Sequence, residues 1–239
     1  MFFFKKIYII YQYIYIYYSN LIIESVFAVG NVNLTTSIGN AIMKNSFAKN
    51  VHVQATTIGD IEGVDVASFK NIAAILAALN PKSTTKLLPT DFGDIVMQSG
   101  SGDCIATGIF ACDVLNMITL DGGNPVAATM EIIGSLNVTS MTGDVYMTGL
   151  DSTSDITVNI GQGSLHGSAV VAQSIDLNVQ EGSISLIELF MGDVFALIPG
   201  ALEILISVVV ESLILTSTIF FLLLLFLFLP RSFSWWYLW

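Results

Sequence analysis

The sequence predicts an all-β fold: a single-stranded parallel β-solenoid (β-helix) of about eight coils of ~20 residues, flanked by two membrane-directed ends. Three observations predict it. A figure of alternating apolar and polar residues closed by a glycine recurs from Asn31 to Asp193 at nearly constant spacing. The residue after that glycine is Asn, Asp or Ser in copy after copy. Seven of the eight tyrosines, all three tryptophans and the longest aliphatic runs lie before Ala28 or after Ser212, which leaves a water-compatible middle between two apolar ends.

The first element is the segment 1–28. Met1 to Lys6 forms a short basic start, an apolar run follows to Ile23, and Val26 and Ala28 stand at the −3 and −1 positions that a signal peptidase prefers. The segment therefore reads as a secretory signal peptide, or else as an uncleaved N-terminal hydrophobic anchor.

The coils occupy 29–211. The repeat starts at Asn31, Asn50, Asn71, Asp94, Asp113, Ser135, Asp155, Ser174 and Asp193, so successive starts lie 19 to 23 residues apart. The turn glycines are Gly39, Gly59, Gly102, Gly123, Gly143, Gly163 and Gly182, with Asn80 in the third copy. Glycine and asparagine tolerate positive φ, as a tight corner requires. A further short run follows each corner, so every period supplies two or three short strands. A unit this short cannot bury its apolar side alone. Stacked copies can, with equivalent strands pairing in parallel about 4.8 Å apart.

Phe47, Phe69, Phe92 and Phe110 fall two or three residues before consecutive repeat starts, and Phe190 does so in the last coil. They are expected to stack in one internal ladder. The stretch 72–89 has the helical propensity that the other coils lack. The register makes its first half a strand, with Ile72 in the place of Val51 and Ile95, followed by a loop over 82–89; a short helix is the competing reading.

The last element is 212–239. Ser212 to Leu229 carries no charge and is long enough for a membrane helix, which needs about 17 to 25 residues. Arg231 follows, and Trp235, Trp236, Tyr237 and Trp239 suit a membrane interface. With the signal, this describes a single-pass protein held in a surface or secretory-pathway membrane by its C-terminal helix, the solenoid outside.

The segments "IGNAIMKNSFAKNVHVQATTIGDIEG" (38–63), "VAQSIDLNVQEGSISL" and "GDVFALIPG" (192–200) resemble the adhesin domain family of bacterial and protist surface proteins. That family's coils read "sGDI" followed by "nv.v.t.sGdi". The resemblance covers Gly30 to about Ser212 and implies a β-solenoid at a cell surface. It brings no catalytic residues, because the family's biochemical function is not known.

Composition narrows the function. The net charge of −11, with no Lys or Arg from Leu87 to Pro230, has the wrong sign for a nucleic-acid partner, whose phosphates need cations. Asp60, Asp94, Asp103, Asp144 and Asp193 follow turn glycines and could stack into a calcium ladder. The interchange of Asp with Asn and Ser suits capping of turn amides better. No cofactor or metal is expected.

Cys104 and Cys112 are the only cysteines. A secretory route permits a disulfide between them, and they serve equally well as small buried apolar residues. His52 and His166 stand alone and read as surface histidines. Asn33 and Asn137 head glycosylation sequons, Asn-Leu-Thr and Asn-Val-Thr, though both fall on predicted strands.

Parallel β-helices also host polysaccharide-degrading enzymes. A lyase wants a basic residue that this stretch lacks, and a hydrolase wants paired carboxylates. Asp144, Asp151 and Asp155 are close in sequence only, and Tyr146 is the sole Tyr or Trp between Val29 and Ser212. The expectation is therefore a non-enzymatic protein of adhesion or coat structure, whose partner is a protein or glycan surface ligand. A polymer-forming scaffold, joined end to end through unpaired strand edges, is the alternative.

Overall fold

A strand that is apolar at every second residue buries one side only, and this chain buries that side by winding around it. The computed structural model describes residues 2–9, 12–28, 30–70, 74 and 91–220, with side chains over 19–28, 30–70, 74 and 91–188. The strands in order are β1 (Phe2–Ile9), β2 (Gln12–Tyr18), β3 (Leu21–Ala28), β4 (Val32–Ile38), β5 (Ala41–Ala48), β6 (Val51–Ile58), β7 (Ile61–Ser68), β8 (Ile95–Ser99), β9 (Cys104–Thr119), β10 (Pro125–Thr142), β11 (Val145–Ser152), β12 (Asp155–Gln162), β13 (Leu165–Glu181) and β14 (Ile184–Phe220). They form one sheet, wound as a parallel β-solenoid of about seven turns with roughly 20 residues per turn.

Register is carried coil to coil. Leu21 lies on Ala41, Ala41 on Ile61, Ile61 on Cys104, and Cys104 on Pro125. The inward residues of all these coils merge into a single buried apolar column from Leu21 to Leu186. Small hydroxyls line one inner corner of it. Ser99 Oγ donates to the carbonyl of Gly59 at 2.8 Å, and Ser140 Oγ donates to that of Gly143 at 2.9 Å. A buried hydroxyl is tolerated because it finds a backbone acceptor.

Strands β3, β5, β7, β9, β10, β11, β13 and β14 are bent. A residue of positive φ marks the bend in each: Ser25, Asn45, Asp65, Gly108, Thr129, Gly149, Ala169 and Glu188. At that residue the alternation of burial slips by one, as in β5, which reads buried, half-buried, buried, half-buried, exposed, then buried again. The left-handed residue re-aims the chain so that both halves still point apolar side chains inward. Each coil thus has a first face before this bend, a second face after it, and a third face on the following strand.

The structure corrects the coil expected at Asn71. Val51 of β6 pairs directly with Ile95 of β8, so no strand lies between them and Ile72 does not take that place. Gly102 likewise stacks on Gly59, and Asn80 stands outside the described residues. The chain leaves the solenoid at Lys70 and returns at Asp91, where Lys70 N donates to the Asp91 carbonyl at 2.8 Å and Gly93 N to that of Ser68 at 2.9 Å. Ala74, helical and buried, packs with Phe69, Phe92 and Ala67. The expected loop over 82–89 lies outside the described residues.

Phe47, Phe69, Phe92 and Phe110 do not form an internal ladder, and the Phe190 side chain lies outside the described residues. Phe110 is fully buried in the main core. Phe69 and Phe92 pair with each other across the neck of the excursion, ring centroids 5.3 Å apart, and Phe47 points outward on the second face against them. Their sequence spacing reflects an apolar seal over the second face of the early coils, where Phe27, Phe47 and Ala111 pack against the cluster of Ala67, Phe69, Ala74 and Phe92.

Of the stretch expected as a signal segment, β3 lies in register on β5 with Leu21, Ile23 and Val26 buried. At the other end, β14 continues to Phe220, inside the segment expected as a membrane helix; residues 221–239 lie outside the described residues. Among the described residues no helix is long and apolar enough to cross a membrane.

Candidate functional site: a neutral polar face

The corner between the third and first faces shows what the Gly-Asx signature does. At Gly59, Gly102, Gly143, Gly163 and Gly182 a Cβ would collide with the carbonyl of the corner glycine one coil below, and φ lies between 133 and 149°. Only glycine occupies such a backbone at no cost. The next residue then builds a ladder. Asn20 Oδ1 accepts the backbone N–H of Asn40 at 3.0 Å, Asn40 that of Asp60 at 3.0 Å, Asp60 that of Asp103 at 3.0 Å, and Asp103 that of Asn124 at 2.9 Å. Asn124 continues to Asp144 at 2.9 Å, and Asp144 to Ser164 at 2.8 Å.

Asn, Asp and Ser interchange here because each offers the one acceptor the ladder needs. Asp60, Asp103 and Asp144 belong to it, whereas Asp94 and Asp193 sit at the opposite corner, next to the second face. The five aspartates are therefore split between two edges of the rod. No group of three or more His, Cys, Asp or Glu that could hold a metal occurs among the described residues.

Cys104 and Cys112 are both free and buried, at opposite ends of the stretch of β9 that bends at Gly108. Burial pushes each thiol up to about 12. Asp144 stands in the corner ladder, Asp151 on the second face in register with Glu131, and Asp155 beside Ser174 at 2.7 Å. The three carboxylates that are close in sequence are thus dispersed around the coil. Asn33 lies in register with His52, and the amide of Asn137 donates to Asn116 Oδ1 at 3.2 Å, so both sequon asparagines stand on the third face. His52 is half-buried, its Nε2 has no hydrogen-bond partner among the described residues, and burial lowers its pKa. His166 stacks on Tyr146 across the first face, centroids 5.2 Å apart.

The third face is the feature that sequence reasoning did not single out. Two outward columns run along it in register: Asn33, His52, Val96, Asn116, Asn137, Thr157 and Asp176, and Thr35, Gln54, Gln98, Ile118, Thr139, Asn159 and Asn178. They hold one carboxylate and one imidazole; the rest are mostly amides and hydroxyls. The signal was present in the alternating "NVNLTT", "SLNVTS", "DITVNI" and "SIDLNV", whose second and fourth residues point inward and whose third and fifth point out.

Near the C-terminal side of this face the surface dips into a depression of about 370 Å³ lined by Thr139, Met141, Asn159, Gly161, Gln162, Asn178, Gln180 and Glu181. Gln162 Nε2 donates to Glu181 Oε2 at 2.9 Å along one wall.

Winding, corner ladder and faces together define a bent-stranded parallel β-solenoid. No family model, no curated protein and no solved structure matches the chain.

Proposed function

We propose that this chain is a non-enzymatic β-solenoid displayed at a cell surface, where it acts in adhesion or as coat structure. The observation that carries the reading is the third face: a flat, largely neutral array of amides and hydroxyls on a rigid scaffold, suited to hydrogen-bonding another surface. The one carboxylate and one imidazole of its two columns, Asp176 and His52, stand five coils apart, which favours binding over acid–base hydrolysis. The resemblance of 38–63 and 192–200 to a surface-protein domain supports the same reading, as do the apolar segments at both ends.

An epitope tag tests it. Asp121 and Gly122 form an exposed bend, and nothing lies within 4 Å of a Cβ built on Gly122, so an insertion there leaves the coils intact. Labelling of intact cells is the expected result. Labelling only after permeabilisation overturns surface display and puts an internal, end-to-end scaffold in its place.

A further inference from the structure

Gly161 is a glycine because the coil beneath lies too close: a Cβ there would sit 2.5 Å from the carbonyl oxygen of Met141. At this step of the row Met141, Gly161 and Gln180 the surface is backbone alone, and it lies within the depression. Met141, 56% exposed, bounds the depression on one side and Gln180 on the other. Beside it, Thr139, Asn159 and Asn178 stand in register on successive coils. Among the described residues their side chains make no hydrogen bond, although the neighbouring Asn137 and Gln162 side chains do.

The chemistry of that lining selects a ligand class. Amides and a hydroxyl present donors and acceptors together, which matches groups that also do both, namely alcohols. No Lys or Arg occurs from Leu87 to Pro230, and Glu181 stands at the wall, so a sulfate, phosphate or uronate would meet repulsion with no counter-charge. Met141 supplies a pliable apolar surface for the C–H side of a sugar ring. Asn159 and Asn178, about 4.8 Å apart along the rod, are spaced to hold hydroxyls on the two sides of one ring.

We propose that the depression over Gly161 is a subsite for a neutral glycan, with one pyranose ring against Met141 and its hydroxyls on Asn159, Asn178, Thr139 and Glu181. The subsite rests on the adhesion reading and names its ligand.

The test is binding of the full chain, in detergent micelles, to an array of neutral oligosaccharides of glucose, mannose, galactose and N-acetylglucosamine, with uronate and sulfated polysaccharides alongside. A neutral oligosaccharide is retained, and Asn159→Leu and Asn178→Leu each weaken it at least tenfold without changing the melting temperature. Gln98→Leu, distant on the same face, does not. Should either leucine variant fail to fold, Thr139→Val removes one hydroxyl at constant shape and weakens binding severalfold. Neutral-glycan binding that survives these changes overturns the subsite and leaves adhesion standing. Retention of acidic polysaccharides alone, or of no glycan, also overturns it. Loss of surface display, read with the tag at Gly122, removes adhesion while the array result stands on its own.

Discussion

Asn124 Oδ1 accepts the backbone N–H of Asp144 at 2.9 Å, one coil above it, while its own amide nitrogen reaches back 3.3 Å to Asp103 Oδ1 in the coil below. One side chain thus ties three coils at the corner where the glycine column prevents any bulkier device. Asn124→Ala leaves the Asp144 amide without its acceptor, at a cost of about 1 to 3 kcal/mol in denaturant unfolding. Asn124→Asp keeps the acceptor but sets a third carboxylate between Asp103 and Asp144. Its smaller loss of stability diminishes as salt is added.

Glycines of the corner and of an exposed bend respond differently to the same methyl group. Gly163 has φ 139°, and its Cβ would collide with the carbonyl of Gly143, so Gly163→Ala costs on the order of 3 kcal/mol or prevents folding. Gly122 has φ 69° with open space around it, and Gly122→Ala costs about 1 kcal/mol. Melting temperatures of the two variants measure the contrast.

The two thiols set the alkaline limit. Burial raises Cys104 and Cys112 from 9.0 to about 12, so the folded chain keeps protons that the unfolded chain loses. Their contribution is complete below pH 9 and is lost as pH rises from 9 toward 12, each thiol shifting the folding equilibrium up to tenfold per pH unit. Unfolding followed across that range shows the loss, and Cys104→Ala with Cys112→Ala flattens it. At pH 8 the native thiols resist a maleimide and react once the chain is unfolded.

His52 sets a limit on the acid side. Its pKa is lowered by burial, so the unfolded chain binds a proton that the folded chain refuses. The associated stability is present above pH 6.5 and is lost as pH falls below it. His52→Gln removes this dependence, which melting temperatures at pH 7.5 and 5.5 reveal.

Much of the solenoid was legible in the sequence because its corner is chemically demanding. A backbone that only glycine adopts, followed by a side chain that must accept one amide, leaves a mark in each coil from Gly39 to Gly182. The strand bend left a weaker mark: Asn45, Asp65, Gly108 and Gly149 tolerate a left-handed backbone, but Ser25, Thr129, Ala169 and Glu188 hold the same place, since stacking with neighbouring coils overrides local preference there. The segment at Asn71 was misread because "NIAAILAALN" has the apolar content of a strand, and the 44 residues from Asn50 to Asp94 pass for two periods. The polar third face escaped notice for another reason. Its side chains are ordinary one by one, and only register places them side by side.

The central claim is a continuous rod whose third face runs unbroken past the excursion, and a spin-label distance between Asn33→Cys and Asp176→Cys tests it most directly. Both positions belong to one outward column, separated by the six steps through His52, Val96, Asn116, Asn137 and Thr157. At about 4.8 Å per step the two backbone positions stand roughly 29 Å apart, and a single narrow distribution near that value is the expected result. A distribution centred near 34 Å, which an additional coil at Asn71 would give, or a broad one with no maximum, would contradict the account.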